Sequence, residues 1–427
     1  MHVTKVQVVG TGPAALGIAV AADRLGLLER LLQAGILFLD RQKSLAALYK
    51  DRFPYAIVSN SPGRHFVQSL RPDAAFARVC AGDTACRLEA LRDSQVPLCL
   101  VGELMNEITA ELNGLCRRSP DSAIVFDSGV AKVVQRADGS FTTYSWDGTP
   151  LVTSAAVVLA TGAEEDLGPA QRALGADPAS IMPSSEVLRG ELERVAAAVS
   201  SGLNIYVMGS SHSALSAVAV ILRHFRESLW PGQLRLVHRK VKTYYSSAAE
   251  APSHAYVASD VDPETLEINR FDGIRADARR TIEAILAGRE PAVELVPASD
   301  FVPRARRSLY ISATGYTARQ IMVANEVSGP VALASDRHGL IVDQSCRVVD
   351  GGGRAIPRLY GIGIGYARRG PTNIARVGVN FFHGEDGAML ARQLADDLPA
   401  TVSLVGSEAR QFWRNQSQGR RPEGERQ

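Results

Sequence analysis

The chain has few cysteines, no long apolar run and almost no net charge, and each shortage excludes a class of protein. Five of its 427 residues are cysteines, and they form neither a CxxC pair nor a metal-ligand pattern with histidine, so we predict no bound metal. Lys and Arg total 47 against 45 Asp and Glu, a formal charge of +2 that gives no reason to expect nucleic acid or an anionic membrane as a partner. No apolar run reaches the ~18 residues of a membrane span, and the first strand pattern begins near Val3 without a charged and apolar leader. The sequence therefore predicts a cytoplasmic protein.

The chain does contain two glycine-marked turns, each between an apolar strand pattern and an apolar helix pattern. The first turn reads GTGPAA and includes Gly10, Thr11, Gly12, Pro13 and Ala14. Small residues let the backbone approach a pyrophosphate, and the N-terminus of the following helix directs free N–H groups at the anion. Asp40 and Arg41 end the next strand pattern, where this fold places an acidic residue on a ribose. The alternative for Asp40 is a solvated strand end.

The second turn lies near the middle of the chain. It reads GSSHSA and includes Gly209, Ser210, Ser211, His212 and Ser213. The next strand pattern, LRLVH, is followed by Arg239 and Lys240. Positive charge at this point accommodates the 2′-phosphate of NADPH, whereas an acidic residue would favour NADH; a solvated basic surface is the alternative. Two such turns predict two dinucleotide sites, between which an electron pair can pass.

Both halves of the chain share a tripeptide after a strand pattern, which indicates a shared architecture. It occurs as Ala160, Thr161 and Gly162 and again as Ala313, Thr314 and Gly315. The first copy follows a three-stranded meander pattern with Asp-Gly turns. Residues 102–117 have the apolar spacing of a core-facing helix, and residues 163–200, polar and interrupted by prolines, indicate a connector.

In this order the motifs GTGPAA, FLDRQ, VVLATGA, GSSHSA with VHRK, and SATGY resemble those of the two-dinucleotide-binding-domain flavoproteins, over about residues 3–400. The resemblance implies an α/β fold of two Rossmann-like three-layer nucleotide-binding domains, with the NAD(P)H domain inserted in the FAD domain. The implied divisions are 1–165 and 321–405 for the FAD domain, 200–320 for the NAD(P)H domain and 406–427 for a disordered tail.

The resemblance also implies which residues hold FAD and NADPH. FAD would be held by the first turn and Asp40, by the backbone of Val130 beside the adenine, and by Gly363 and Ile364 beside the ribityl chain and isoalloxazine. The remaining candidates are Arg41, Thr161 and Gly162 for FAD, and the second turn with Arg239, Lys240, Thr314 and Gly315 for NADPH.

Within this superfamily the motif order is closest to the flavin-dependent N-hydroxylating monooxygenases, which act on ornithine or lysine amines. The resemblance implies that NADPH reduces FAD and that molecular oxygen then oxygenates a heteroatom of a small metabolite, an amine nitrogen, through a flavin hydroperoxide. Ser211 stands where these enzymes have a glycine, and His212 where they have an amide residue.

Two other functions stay open. One is a flavin-dependent NAD(P)H reductase or dehydrogenase without oxygen insertion, and the other is an FAD-binding sensor or partner protein without catalysis, which Ser211 favours. A disulfide reductase needs a close cysteine pair beside the flavin, and the spacing of Cys80 and Cys86 fits no such arrangement.

Residues 59–72 are rich in Ser, Asn, Pro and Gly and predict a loop that could shape the substrate pocket. Asn60 and Ser61 are candidates for contact with the flavin edge, and Arg64 and His65 are candidates for orienting substrate. Loop stabilisation is the alternative. The other candidates are His383 for the flavin pyrimidine, and Arg368, Arg369 and Arg376 for a carboxylate or phosphate. A packed histidine and a solvated basic surface are the corresponding alternatives.

Overall fold

The structure, a computed structural model, describes residues 2–55, 57–175, 181–252, 255–263, 265–270, 273–303, 308–336, 339–366, 368 and 385–397. The strands are β1 (His2–Val9), β2 (Ile36–Leu39), β3 (Val58–Pro62), β4 (Gln95–Pro97), β5 (Ala123–Val125), β6 (Lys132–Gln135), β7 (Phe141–Tyr144), β8 (Pro150–Leu159), β9 (Ala163–Glu165), β10 (Ile181–Pro183), β11 (Asn204–Met208), β12 (Leu234–His238), β13 (Val293–Pro297), β14 (Ser308–Ser312), β15 (Tyr316–Ala318), β16 (Met322–Asn325), β17 (Gly329–Pro330), β18 (Ser335–Asp336), β19 (Gly339–Leu340), β20 (Arg347–Val349) and β21 (Ala355–Gly361). The helices are α1 (Pro13–Arg24), α2 (Leu28–Ala34), α3 (Leu45–Asp51), α4 (Arg64–Val67), α5 (Ala77–Cys80), α6 (Asp83–Ala90), α7 (Leu98–Arg118), α8 (Gly168–Leu174), α9 (Ser184–Leu188), α10 (Glu193–Ser200), α11 (His212–Phe225), α12 (Ala276–Leu286) and α13 (Glu385–Asp397).

The first sheet is built around β1, whose apolar residues are buried on both faces. Strands β5, β2, β1, β8 and β21 lie side by side and parallel, which is typical of a sheet covered on both faces. Strand β8 is long enough for two partners on its other edge: its first half pairs antiparallel with β7 and its second half parallel with β21. Helices α1, α7 and α13 cover one face, and the meander strands β6 and β7 enclose a separate core on the other.

The second sheet is parallel throughout, in the order β10-β14-β11-β12-β13. Helices α9 to α12 bury their apolar faces against one side of it. The chain enters this unit through β9 and leaves it through β15, and these two strands pair antiparallel as a ribbon between the sheets. The predicted α/β class, with one parallel unit inserted in another, is confirmed.

Three local predictions differ from the structure. The predicted connector 163–200 contributes the edge strand β10 and helices α8 to α10, so the second unit begins before residue 200; the apolar part of β10 is too short to give a periodic signal. The predicted loop 59–72 contains most of β3 and the helical turn α4. The predicted helix 102–117 begins earlier, at Leu98, and ends at Arg118; Gly102 lies inside it, where a Cβ would be 2.7 Å from the carbonyl oxygen of Arg52. The predicted disordered tail 406–427 lies outside the described residues.

The described ranges contain neither a candidate membrane-spanning helix nor a candidate metal cluster. No helix in them combines the length and apolar character needed to cross a membrane. No cluster of three or more His, Cys, Asp or Glu residues in the same ranges has an arrangement suited to a metal ion.

Helix α7 supplies the longest apolar stripe under the first sheet, and it generates a stability prediction. Leu112 is fully buried whereas Leu115 is only partly buried. Leu112→Ala should lower the free energy of unfolding by about 2–5 kcal/mol, because a cavity is added to the lost apolar burial. Leu115→Ala should lower the free energy of unfolding by clearly less than Leu112→Ala does. Urea unfolding of both variants checks the order, and equal losses would contradict the packing described for α7.

Candidate functional site

A cavity of about 540 Å³ lies at the carboxyl ends of the parallel strands of the first sheet, where open α/β sheets bind ligands. The loops that follow β1, β2, β8 and β21 all contribute to its wall. The candidate residues that line it are Gly10, Thr11, Gly12, Pro13, Ala14, Asp40, Arg41, Val130, Thr161, Gly162, Gly363 and Ile364. The structure therefore brings all the proposed FAD contacts together, although they come from five separate parts of the chain.

The first turn is shaped by a close backbone approach. Gly10 has a φ of +104°, and a Cβ at this position would lie 2.5 Å from the carbonyl oxygen of Ala160. Gly12 differs, because its φ is −70° and a Cβ there would meet nothing within 4 Å. Gly12 precedes α1, and no side chain caps this helix. An uncapped helix N-terminus beside open space is suited to a phosphate.

Asp40 is buried and holds the turn in place. Its Oδ2 accepts hydrogen bonds from the backbone N–H of Thr11, at 3.0 Å, and from the Thr11 hydroxyl, while Oδ1 accepts from the N–H of Gln42 at 2.8 Å. With an exposed fraction of only 6%, Asp40 is not a solvated strand end. The carboxylate also borders the cavity, so the predicted ribose contact remains open to it.

Arg52 is a cavity residue for which the sequence gives no motif. Its Nη2 donates to the carbonyl oxygen of Thr11 at 2.6 Å, and Nη1 donates to the carbonyl of Met105 at 2.8 Å and the hydroxyl of Thr109 at 2.5 Å. Burial lowers the pKa of Arg52 to about 10, against the opposing effect of Asp40, so the guanidinium stays charged at neutral pH. A buried cation thus fixes the first turn against α7 and adds positive potential to the cavity.

Two further cavity residues, Trp146 and Arg319, belong to no motif that the sequence shows. Trp146 lies at the end of β7, next to Gly129, and is 80% exposed. Arg319 follows β15, and its Nε atom is buried without a hydrogen-bond partner. An orphaned buried donor, an uncapped helix N-terminus and open space at Gly12 together fit the phosphates of a dinucleotide such as FAD.

The second turn repeats the geometry of the first. Gly209 has a φ of +130°, and a Cβ there would lie 2.3 Å from the carbonyl oxygen of Ala313. Ser211 has φ −80° and ψ 176°, nearly the values of −70° and −176° at Gly12. Its side chain does not cap α11 and is exposed. Serine is therefore compatible with this backbone, and the preference for a protein without catalysis that Ser211 indicated loses its conformational basis.

His212 occupies the first position of α11. Burial, with a smaller contribution from the nearby Arg275, lowers its pKa to about 4 despite Asp277. The imidazole is therefore neutral at pH 7, and its Nδ1 is buried without a hydrogen-bond partner. A neutral ring with an available nitrogen can take part in hydrogen bonding but adds no charge to the turn.

The two basic residues that follow β12, Arg239 and Lys240, lie in different environments. Lys240 lies 3.7 Å from Asp260, and its carbonyl oxygen accepts from the Ser210 hydroxyl at 2.9 Å. Arg239 is exposed and has no ion pair within the described ranges. Arg239 is thus the cation better placed to meet an added phosphate.

The second Ala-Thr-Gly copy supports the ribbon between the sheets rather than lining the cavity. The Thr314 hydroxyl donates to the carbonyl of Asp166 at 2.7 Å, and the carbonyl of Gly315 accepts from the Asp166 N–H at 2.9 Å. Ser213, in the first turn of α11, shares a side-chain hydrogen bond with Tyr316 of β15. These contacts tie the second turn to the ribbon.

The substrate candidates lie apart from this cavity or outside the described residues. Asn60 is exposed on β3, and Ser61 donates its N–H to the Ser59 hydroxyl at 3.0 Å. His65 lies on α4, where burial, Arg64 and Arg275 lower its pKa. The side chain of Arg64 itself pairs with Asp93.

The arginine and histidine candidates near α13 are only partly described. Arg368 pairs with the buried Asp386 at 2.7 Å, which compensates its charge, while its Nε is buried without a hydrogen-bond partner. His383, Arg369 and Arg376 lie outside the described residues.

Comparison with known proteins agrees with this architecture. No family model matches the chain. Its sequence is 27% identical over 395 residues to CMP-5'-(3-aminopropyl)phosphonate hydroxylase of Streptomyces rubellomurinus (strain ATCC 31215), covering 83% of this chain and 88% of that protein.

Three solved structures share the overall fold at low sequence identity. L-lysine 6-monooxygenase from Pseudomonas syringae has a TM-score of 0.60 at 15% identity, and ornithine hydroxylase from Pseudomonas aeruginosa 0.60 at 13%. Bacillithiol disulfide reductase from Staphylococcus aureus has a TM-score of 0.54 at 11% identity. Each alignment covers 93% of this chain and 100% of the other. The chain shares the two-domain Rossmann-type α/β fold of these three proteins, as its motifs predicted.

The two glycines of the first turn should respond differently to alanine. Gly10→Ala forces a Cβ against the Ala160 carbonyl at a positive φ and should lower the free energy of unfolding by about 2–3 kcal/mol. Gly12→Ala, which meets open space at an ordinary φ, should stay within about 1 kcal/mol of the parent. Denaturant unfolding of the protein freed of small molecules measures both, and a reversed order would contradict the turn geometry.

Proposed function

We propose that this protein is an FAD-dependent, NADPH-consuming monooxygenase that oxygenates the amine nitrogen of a small metabolite. The observation that carries the proposal is the repeated turn: Gly10 against Ala160 and Gly209 against Ala313, each before a helix without a side-chain cap. Two equivalent turns in one chain support two dinucleotides rather than one. The fold neighbours support the same class of enzyme.

The chain's residues have distinct tasks in this proposal. The N-terminus of α1 binds the FAD pyrophosphate, while Asp40 and Arg52 keep the Thr11 backbone in position from two sides. The N-terminus of α11 binds the NADPH pyrophosphate, and Arg239 binds the 2′-phosphate. FAD, when bound, accepts a hydride from NADPH and activates molecular oxygen.

Aromatic residues border the space between the two nucleotide sites. Phe53 and Tyr55 line the cavity with ring centroids 6.2 Å apart, and Tyr55 also packs against the core of the second sheet. Their rings exclude water on this side of the cavity, which protects reactive groups from hydrolysis and proton leakage.

An alkyl amine is the substrate class that the comparisons support. The relative is named for an aminopropyl compound, and two fold neighbours are named for lysine and ornithine, so an alkyl amine is common to all three names. In the proposed reaction the amine, molecular oxygen, NADPH and one proton give the hydroxylamine, water and NADP⁺. One oxygen atom is inserted into an N–H bond and the other leaves as water.

Disulfide reduction receives no support from the cysteines. Cys80 is half-buried and Cys86 is exposed, and neither borders the cavity. The buried thiol of Cys346 has its pKa raised to about 12 by burial, with Asp386 adding to the effect, so it is not a thiolate at neutral pH.

Stopped-flow spectroscopy tests the proposed reaction. The purified protein should be yellow, and anaerobic NADPH should bleach its visible absorbance. Oxygen should then produce a transient near-ultraviolet absorbance, and an alkyl amine should yield hydroxylamine. Bleaching without the transient or product would instead indicate a reductase. No bleaching of a flavin-loaded protein would exclude both enzymes and leave a flavin-binding protein without catalysis.

Arg239 generates a second test, of nicotinamide specificity. Arg239→Ala should weaken NADPH binding roughly 10-fold to 100-fold, since a hydrogen bond to a charged group contributes about 1.5–3 kcal/mol. It should leave the affinity for NADH nearly unchanged. Arg118→Ala removes a similarly exposed cation from the far end of α7 and serves as the matched control. Measured dissociation constants that change equally for both nucleotides would contradict the phosphate role.

A further inference from the structure

Both points at which the chain crosses between the two sheets border the same cavity. Gly162 and Glu164 belong to the outgoing crossing, and Arg319, Gln320 and Ile321 belong to the return crossing. A ligand in the cavity therefore touches the ribbon β9–β15 as well as the first turn. Among these residues only Arg319 brings a positive charge.

The backbone of Arg319 is attached to the exit of β8. Its N–H donates to the carbonyl of Gly162 at 3.2 Å, and its carbonyl accepts from the Thr161 hydroxyl at 3.4 Å. The neighbouring Ala318 is paired with Ala163 in the ribbon. Because the main chain is fixed at this point, the fold places the backbone of Arg319 at the wall of the cavity.

The guanidinium of Arg319 lacks a hydrogen-bond acceptor in the described part of the chain. Its buried Nε makes no hydrogen bond, and its ion-pair partner, the Glu164 carboxylate, is 3.8 Å away, beyond hydrogen-bonding distance. Glu164 is also 62% exposed, so water screens much of its charge. The donors of Arg319 therefore stay available to a ligand.

The surrounding charges favour an anion beside Arg319. Burial and then the nearby Arg41 lower the pKa of Arg319, which means that its environment disfavours the cation. Asp40 stabilises the Arg319 cation only to a limited extent, because the oxygens of Asp40 already accept hydrogen bonds from Thr11 and Gln42. A phosphate group would supply both the negative charge and the missing acceptors.

We propose that Arg319 binds a phosphate of the dinucleotide in this cavity and thereby couples cofactor occupancy to the ribbon that joins the two sheets. The proposal rests on the proposed FAD site and adds a residue and a conformational consequence to it. Arg319 makes the ribbon part of the binding site, so occupancy restrains the connection through which the second unit is attached.

The test compares ligands that differ in phosphate content. Arg319→Met keeps the length of the side chain without its charge, Arg319→Lys keeps the charge, and Arg118→Met is the distant control. Protein freed of flavin is titrated with ADP, adenosine, riboflavin and FAD by calorimetry. Arg319→Met should weaken the binding of ADP and FAD at least roughly 10-fold, because it removes a charge-assisted hydrogen bond to the phosphate. Adenosine and riboflavin should change less than about twofold because they have no phosphate.

The other variants and the parent protein distinguish failure of the phosphate role from failure of the proposed function. Arg319→Lys should recover part of the ADP affinity, and Arg118→Met should match the parent. Unchanged ADP binding by Arg319→Met, or an equal loss for adenosine, would overturn the phosphate role. Failure of the parent to bind FAD would overturn the proposed function as well. A parent that binds FAD but forms no hydroxylamine would overturn only the proposed reaction.

Hydrogen exchange tests the coupling separately. Saturating FAD should slow exchange of the β9 and β15 amides in the parent, and should slow it much less in Arg319→Met loaded with enough FAD to fill the site. Equal protection in both proteins would show that the ribbon does not respond through Arg319 and would overturn the coupling.

Discussion

The rest of the structure depends on the contact between a left-handed glycine and a carbonyl group on a neighbouring strand. Gly10 lies so close to Ala160 that no side chain fits between them, and Gly209 has the same relation to Ala313. Each contact joins the exits of two adjacent parallel strands and sets the direction in which the next helix begins. Each contact lies just before an uncapped helix N-terminus, that of α1 or of α11. A bulkier residue at Gly10 or Gly209 would separate the strands at the point where an anion has to approach the backbone.

The first turn is then held by opposite charges on its two sides. Asp40 accepts the N–H and hydroxyl of Thr11, whereas Arg52 donates to the Thr11 carbonyl from beneath. The backbone of one residue is thus fixed through both its donor and its acceptor. Because Arg52 is also bonded to Thr109 and Met105 of α7, contacts within the chain anchor the turn to the main helix layer. Preorganisation of this kind reduces the entropic cost of binding a cofactor.

The sequence predicts those parts of the site that depend on local backbone chemistry. Glycine turns, the acidic strand end at Asp40 and the repeated Ala-Thr-Gly motif all produce short-range signals, and the structure places them around one cavity or in the equivalent position of the second sheet. Arg52 and Arg319 gave no such signal, because their importance comes from hydrogen-bond partners more than forty residues away in the chain. Strand β10 was missed for another reason: three residues form the edge of a sheet only because β14 is there to pair with them.

Ser211 shows how sequence and geometry can differ in what they imply about activity. A serine in place of a glycine favours a site that has lost its nucleotide, if the glycine was needed for its backbone conformation. Here Ser211 and Gly12 have nearly the same φ and ψ, in a region open to any residue. The glycine that the turn does require is Gly209, whose positive φ and contact with Ala313 are retained. The conformational requirement of the turn therefore falls on Gly209, and serine at position 211 is compatible with the backbone geometry that the first turn also has.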